Sequence, residues 1–243
     1  KLESIRVSGV MFSLHSANPD SLNEFMGRED AWECMEQGVL LCHELNIPAA
    51  FNTCLLKDAF YDGTFEKIMD IAREKGITLI QIIKPKPAGA WLEKSEDFFS
   101  EDDIKLAINK VNMYNNNKEY CDYPSIFAQI IEELPEVFGC TAGGTDRFYI
   151  NAKGDVQPCE FLNISFGNII EEPFKIIYDR MRKVFQEPGQ CMLCEQSACK
   201  IYRLLNENNC EVLPLSPDLS KQVFENWNSG TITDLYQKVQ KLR

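Results

Sequence analysis

The segment Cys140-Thr-Ala-Gly-Gly-Thr-Asp-Arg-Phe-Tyr-Ile-Asn-Ala-Lys-Gly-Asp-Val-Gln-Pro-Cys159 carries the densest chemistry in the chain. Cys191-Met-Leu-Cys194, Cys199 and Cys210 extend it, so six of the ten cysteines fall between 140 and 210. Thiolates are soft donors that suit iron–sulfur clusters or zinc, and gathering them at short spacing is how a chain builds a metal corner. Phe148-Tyr149-Ile150 and Val156-Gln157 read as two strands. Asn151 to Asp155 supplies the turn, with Gly154 where a positive φ is needed. The hairpin sets Cys140 just before its first strand and Cys159 just after its second. Both thiols can therefore meet at its open end although 18 residues separate them.

Downstream, Gly167-Asn168-Ile169 is a tight turn, and 173–186 reads as a helix opened by Pro173. Pro188-Gly189 returns the chain to Cys191. Beyond Cys210 come a proline-containing linker and a tail, 220–243, that reads as helical, is interrupted near Ser229-Gly230 and carries no evident chemistry.

Upstream, apolar runs alternate with helical patterns. Val10-Met11-Phe12-Ser13-Leu14 lacks strict alternation, as for a strand buried on both faces. Residues 15–20 supply loop residues, with Asn18-Pro19 as a turn signal. Trp32, Met35, Val39 and Cys42 mark a helix over 29–45, in which Cys34 and Cys42 read as core residues. A second strand covers 49–55 and a second helix 62–75, closed by Gly76. A third strand, 77–83, breaks at Lys84-Pro85-Lys86-Pro87-Ala88-Gly89. Residues 92–100 read as a loop. Ser100 to Asp103 resembles a capping box opening a helix to about Tyr114, and 124–134 reads as another helix through Ile126, Ile130 and Ile131. Strand–helix alternation indicates parallel βαβ units, and three such units suggest a chain that begins partway through an α/β domain. Loops after parallel strands gather at the carboxyl edge, where ligands bind. That rim holds Ser13, His15 and Ser16, then Asn52 and Lys57, then Lys84 to Gly89. His15, one of two histidines, fits a base, a ligand or a hydrogen-bonded structural role.

Bulk properties exclude several classes. A net charge of -12 argues against a nucleic-acid surface. No run of eighteen apolar residues is present to span a membrane, and Lys1-Leu-Glu-Ser-Ile-Arg6 does not read as a signal peptide. Ten cysteines in a chain of this size fit reduced thiols in the cytoplasm better than a disulfide scaffold.

Cys140 through Gly154-x4-Cys159, Gly167-Asn168-Ile169 and Cys191-x2-Cys194-x4-Cys199 closely resemble the SPASM/twitch domain, the C-terminal extension of many radical S-adenosylmethionine enzymes. Ser13-Leu-His-Ser16, Asn18-Pro-Asp20, Met26-Gly27-Arg28, the strand with Asn52 and Pro87-Ala-Gly89 resemble later units of that family's partial barrel. The resemblance, over about Gly9 to Cys210, implies an α/β fold. A C-terminal portion of a partial (β/α) barrel with parallel strands and peripheral helices would occupy 1–135, a small hairpin-plus-helix SPASM/twitch domain 136–212 and a helical tail 213–243. It also implies an auxiliary [4Fe–4S] cluster that binds substrate or takes an electron, and an enzyme whose 5′-deoxyadenosyl radical modifies a peptide or small molecule. An external flavodoxin- or ferredoxin-like donor would reduce it. Ser13, His15, Ser16, Asn52 and Ala88 would line the S-adenosylmethionine side of the pocket.

Two departures from the family pattern stand out. The C-x3-C-x2-C that binds the S-adenosylmethionine-cleaving cluster, and the glycine-rich motif that goes with it, are absent from these residues. The resemblance therefore implies that both would lie upstream and that these residues alone would not cleave S-adenosylmethionine. The cysteine series is also short: the spacing after Cys194 is four, and Arg203 stands where a further cysteine is expected. By analogy with full SPASM domains, Cys191, Cys194, Cys199 and Cys210 would bind one cluster and leave Cys140 and Cys159 as half of another. By analogy with twitch domains, Cys140, Cys159, Cys191 and Cys194 would share one. A zinc site of four thiolates fits the spacing too; the family resemblance turns the balance to iron–sulfur. A non-catalytic iron–sulfur or zinc scaffold that binds a partner is the alternative to the enzyme.

Overall fold

The structure, a computed structural model, describes residues 6–242, less the side chains of 94–97. Residues 1–5, on which the signal-peptide reading falls, and residue 243 lie outside the described part. The chain divides into two compact units, one running to Pro85 and resuming over Phe99–Ile131, the other made of Lys86–Phe98 and Glu132 onward.

The first unit is built on a four-stranded parallel sheet in the order β1 (Val10–Ser13), β2 (Ala49–Cys54), β3 (Leu79–Ile83), β4 (Ser125–Ala128). Each strand lies beside its predecessor in sequence, as in a barrel and unlike a doubly wound sheet. Between them run α1 (Pro19–Met26), α2 (Ala31–Glu44), α3 (Thr64–Glu74) and α4 (Glu101–Asn116). Phe51, Ile80, Ile82, Ile126 and Ala128 point to one face, where they pack in one core with Val39, Met69 and Val111 of the helices. The other face carries Met11, Asn52, Gln81 and Phe127, none of them fully buried. Met11 is 44% exposed, so the expectation that β1 is buried on both faces is corrected.

Two other departures have local causes. Asn18-Pro19, read as a turn, instead starts α1: the Asn18 side chain accepts from the Ser21 N–H at 3.0 Å, and Pro19 takes the first helical position, where no N–H is needed. Residues 124–134, read as a helix, form β4 and the short α5 (Gln129–Glu132). The isoleucines mimic helical spacing, but Ser125 to Ala128 alternates exposed and buried, the period of a strand. Asn115 then closes the outer edge of β4: its side-chain amide donates to the Ile126 carbonyl at 2.9 Å, and its side-chain oxygen accepts the Ile126 N–H at 2.8 Å. The capping box at Ser100 and Asp103 is present as expected.

The second unit has its own core, in which Val156, Leu162, Ile164, Ile177, Met181 and Ile201 are almost fully buried. Its hairpin pairs β5 (Tyr149–Ile150) with β6 (Val156–Gln157), and Gly154 turns it with φ +92°. After it come α6 (Phe174–Val184), α7 (Leu193–Glu207), α8 (Pro217–Phe224) and α9 (Asp234–Gln240). Residues 89–97, between Ala88 and Phe98, form 3-10 turns rather than an open loop. Leu215 and Val223 of the tail are buried in this same core.

Candidate metal centre

The hairpin brings Cys140 and Cys159 to its open end, and a second strand-like pairing fixes what meets them there. Cys140 pairs antiparallel with Gly189, the Cys140 N–H donating to the Gly189 carbonyl at 2.8 Å and the Gly189 N–H returning at 3.2 Å. Cys191 follows Gly189 by two residues. Cys194 comes next, in the first turn of α7. Cys140, Cys159 and Cys194 lie within electrostatic reach of one another. None of the ten cysteines forms a disulfide. Among the described residues, no three His, Cys, Asp or Glu side chains are drawn in to the distance of a common metal ion.

Cys159 and Cys194 are 7% and 4% exposed. Burial pushes the Cys159 thiol up to about 12 and drives Cys194 upward as well. Both must lose protons to bind a metal, which therefore has to supply the compensating positive charge. Two features of the fold assist. The N-terminal turn of α7 favours negative charge near Cys194, and the ammonium of Lys86 pulls that thiol downward. Lys86 has a side chain only 1% exposed and donates to Glu133 Oε2 at 2.5 Å and Glu195 Oε1 at 2.8 Å. Burial alone would lower its own ionisation, but Glu133, Cys194 and Glu195 outweigh it and hold the lysine raised and charged.

The tail, read as carrying no chemistry, lies across this loop. Ser229 accepts the Cys191 N–H at 3.0 Å, Thr231 accepts the Gln190 N–H at 3.0 Å, and Ile232 bridges to Gly189. A Cβ on Gly189 would sit 2.0 Å from the Ser229 carbonyl oxygen, so only glycine lets the strap approach. Beside Cys140 is a cavity of about 270 Å³ lined also by Phe185, Leu193, Trp227, Gly230 and Ile232. Buried thiols facing a helix N-terminus, a buried cation and a cavity at their edge form a donor set that fits a thiolate-ligated iron–sulfur group.

The other two cysteines stand elsewhere. Cys199 is exposed on α7, five residues beyond Cys194 and thus about 140° around the helix. Cys210 lies past the far end of α7, roughly 20 Å from Cys194 along a helix of that length. The set Cys191, Cys194, Cys199 and Cys210 is not brought together. In sequence Glu133 and Glu195 do not stand out, Lys86 figures only as one of the rim residues 84–89, and the 229–232 strap reads only as an interruption of the helical tail.

The expected S-adenosylmethionine residues of the first unit gather at the carboxyl edge of its sheet. Ser13 ends β1 in register with Asn52 of β2. His15 Nδ1 accepts the Cys54 N–H at 2.9 Å, which satisfies the hydrogen-bonded structural role, and burial lowers its ionisation. Ser16 accepts the Asn18 N–H through its hydroxyl at 3.1 Å. The side-chain oxygen of Asn52 is buried with no hydrogen-bond partner in the structure, an orphan of the kind a ligand satisfies. Ala88 belongs to the second unit.

With this geometry in place, residues 140–200 can be compared with known domains. They match the SPASM domain. Its description is an iron–sulfur cluster-binding domain. An AdoMet-dependent heme synthase of Methanosarcina barkeri (strain Fusaro / DSM 804) is 24% identical over 223 residues, 80% of this chain and 62% of that protein. One from Nitratidesulfovibrio vulgaris is 24% identical over 220 residues, 79% of this chain and 59% of the relative. A third, from Oleidesulfovibrio alaskensis, is 23% identical over 216 residues, 79% of the chain and 53% of the relative. The chain thus spans 53–62% of the length of these relatives. Both findings agree with the resemblance to the SPASM-containing C-terminal part of a radical S-adenosylmethionine protein. Among the described residues no helix is long and apolar enough to cross a membrane.

Proposed function

We propose that this chain is the auxiliary-cluster part of a radical S-adenosylmethionine enzyme, with one [4Fe–4S] cluster held by Cys140, Cys159, Cys191 and Cys194. The observation that supports the reading is that Cys140, Cys159 and Cys194 lie within electrostatic reach of one another, with Cys191 two residues beyond the Gly189 that pairs with Cys140. When bound, the cluster supplies a one-electron relay or an iron that holds substrate. The protein's part is to bury the ligands, lay the first turn of α7 and Lys86 against the negative charge, and close the loop with the 229–232 strap. At the sheet edge, Asn52 would offer its side-chain oxygen to S-adenosylmethionine, with Ser13, His15 and Ser16 beside it. The resemblance to AdoMet-dependent heme synthases supports a small-molecule substrate over a peptide. A flavodoxin- or ferredoxin-like protein would deliver the electrons, in a reducing cytoplasm that keeps the thiols free.

The test is anaerobic purification of the natural polypeptide, assay of iron and zinc, then incubation with S-adenosylmethionine and dithionite. Iron with labile sulfide and the appearance of 5′-deoxyadenosine are expected. Zinc in place of iron would overturn the cluster. Protein that keeps its iron yet leaves S-adenosylmethionine intact would establish the non-catalytic scaffold instead.

A further inference from the structure

We propose that Lys86 is a positioning residue for the auxiliary cluster, a fixed buried cation that raises the cluster's reduction potential. The inference rests on the cluster reading of Cys140, Cys159, Cys191 and Cys194 given above. Lysine is almost never fully buried without partners, and here the whole side chain is 1% exposed. Glu133 and Glu195 hold its ammonium at 2.5 and 2.8 Å, and their own side chains are 10% and 34% exposed. Glu195 follows Cys194 directly in the first turn of α7. The cation is thereby anchored on the residue next to a proposed ligand.

Stability alone is a poor reason for such a group. A buried ion pair repays its desolvation only with good geometry, and apolar residues of similar volume commonly serve as well. A cluster carried by four thiolates is net negative, and reduction adds one more electron. A cation fixed nearby favours the reduced form and a carboxylate opposes it, most strongly where water is excluded. Lys86 and its two carboxylates are therefore levers of opposite sign on one potential. Each can be removed by substitution.

The experiment is a redox titration, followed by EPR, of the anaerobically reconstituted full chain. It compares wild type with Lys86→Met, Lys86→Arg and Glu133→Gln, with iron per chain measured on each. The expected result is a lower midpoint potential for Lys86→Met, a higher one for Glu133→Gln and a near-wild-type value for Lys86→Arg, at unchanged iron. A residue that only braces the fold would shift Lys86→Met and Glu133→Gln the same way, or leave both potentials unmoved. Either result overturns the proposal. If Lys86→Met fails to hold iron, Glu133→Gln decides, and an unchanged or lowered potential there refutes it. Wild-type protein that binds no iron would instead remove the cluster reading itself.

Discussion

His15 and the Cys54 N–H it serves show how a single side chain at the sheet edge couples to pH. Its folded ionisation lies below the usual imidazole value of about 6.5 because burial penalises the charged ring. The unfolded chain therefore takes up its proton first as pH falls. Stability is unaffected above pH 6.5 and declines as pH drops through and below that value. Replacing His15→Asn keeps an acceptor for the Cys54 N–H and removes the titration. Denaturant midpoints measured from pH 7.5 to 5.5 should fall less steeply in the variant than in wild type, and equal slopes would contradict this. The six cysteines could be picked out by residue type alone, since few side chains bind soft metals. Lys86 could not. Between two prolines it reads as a solvated rim charge, and only the fold shows both carboxylates closing over it.

Elements were legible where periodicity ran long and illegible where it ran short. The helices over Trp32 to Cys42 and Phe65 to Ala72 show their buried stripes in sequence, as does the strand Leu79–Ile83. Four residues of β4 could not compete with the helical spacing of their isoleucines, and what pins that strand is a side chain from the preceding helix. Asn115→Ala should therefore cost about 1–2 kcal/mol, since it leaves the Ile126 N–H and carbonyl without their partner. Chemical denaturation measures it, and a loss below a few tenths would show β4 to be held otherwise. The strap over Cys191 makes a second element-scale test. Gly189→Ala forces a methyl onto the Ser229 carbonyl and should cost about 1–3 kcal/mol. It should also lower iron retained through a desalting column, with α-helical circular dichroism kept. Unchanged iron would show that the strap does not guard the site.

At the scale of the molecule, the parallel succession β1-β2-β3 and the hairpin unit are the two parts that the alternating pattern and the cysteine spacing foretold. The half-open sheet face was not foretold, because apolar strands look alike whether one face or both are covered. On that face, Asn52→Leu removes the orphaned side-chain oxygen proposed for S-adenosylmethionine. It should weaken binding by about tenfold, the worth of one good hydrogen bond, in equilibrium dialysis. Equal affinity would take Asn52 out of the pocket. The central claim concerns which thiols act together, and six single Cys→Ala variants read it most directly through iron and acid-labile sulfide after anaerobic reconstitution. Cys140→Ala, Cys159→Ala, Cys191→Ala and Cys194→Ala should each lose most of the cluster, while Cys199→Ala and Cys210→Ala keep it. Full iron in Cys140→Ala or Cys159→Ala, or its loss in Cys199→Ala and Cys210→Ala, would contradict the assignment.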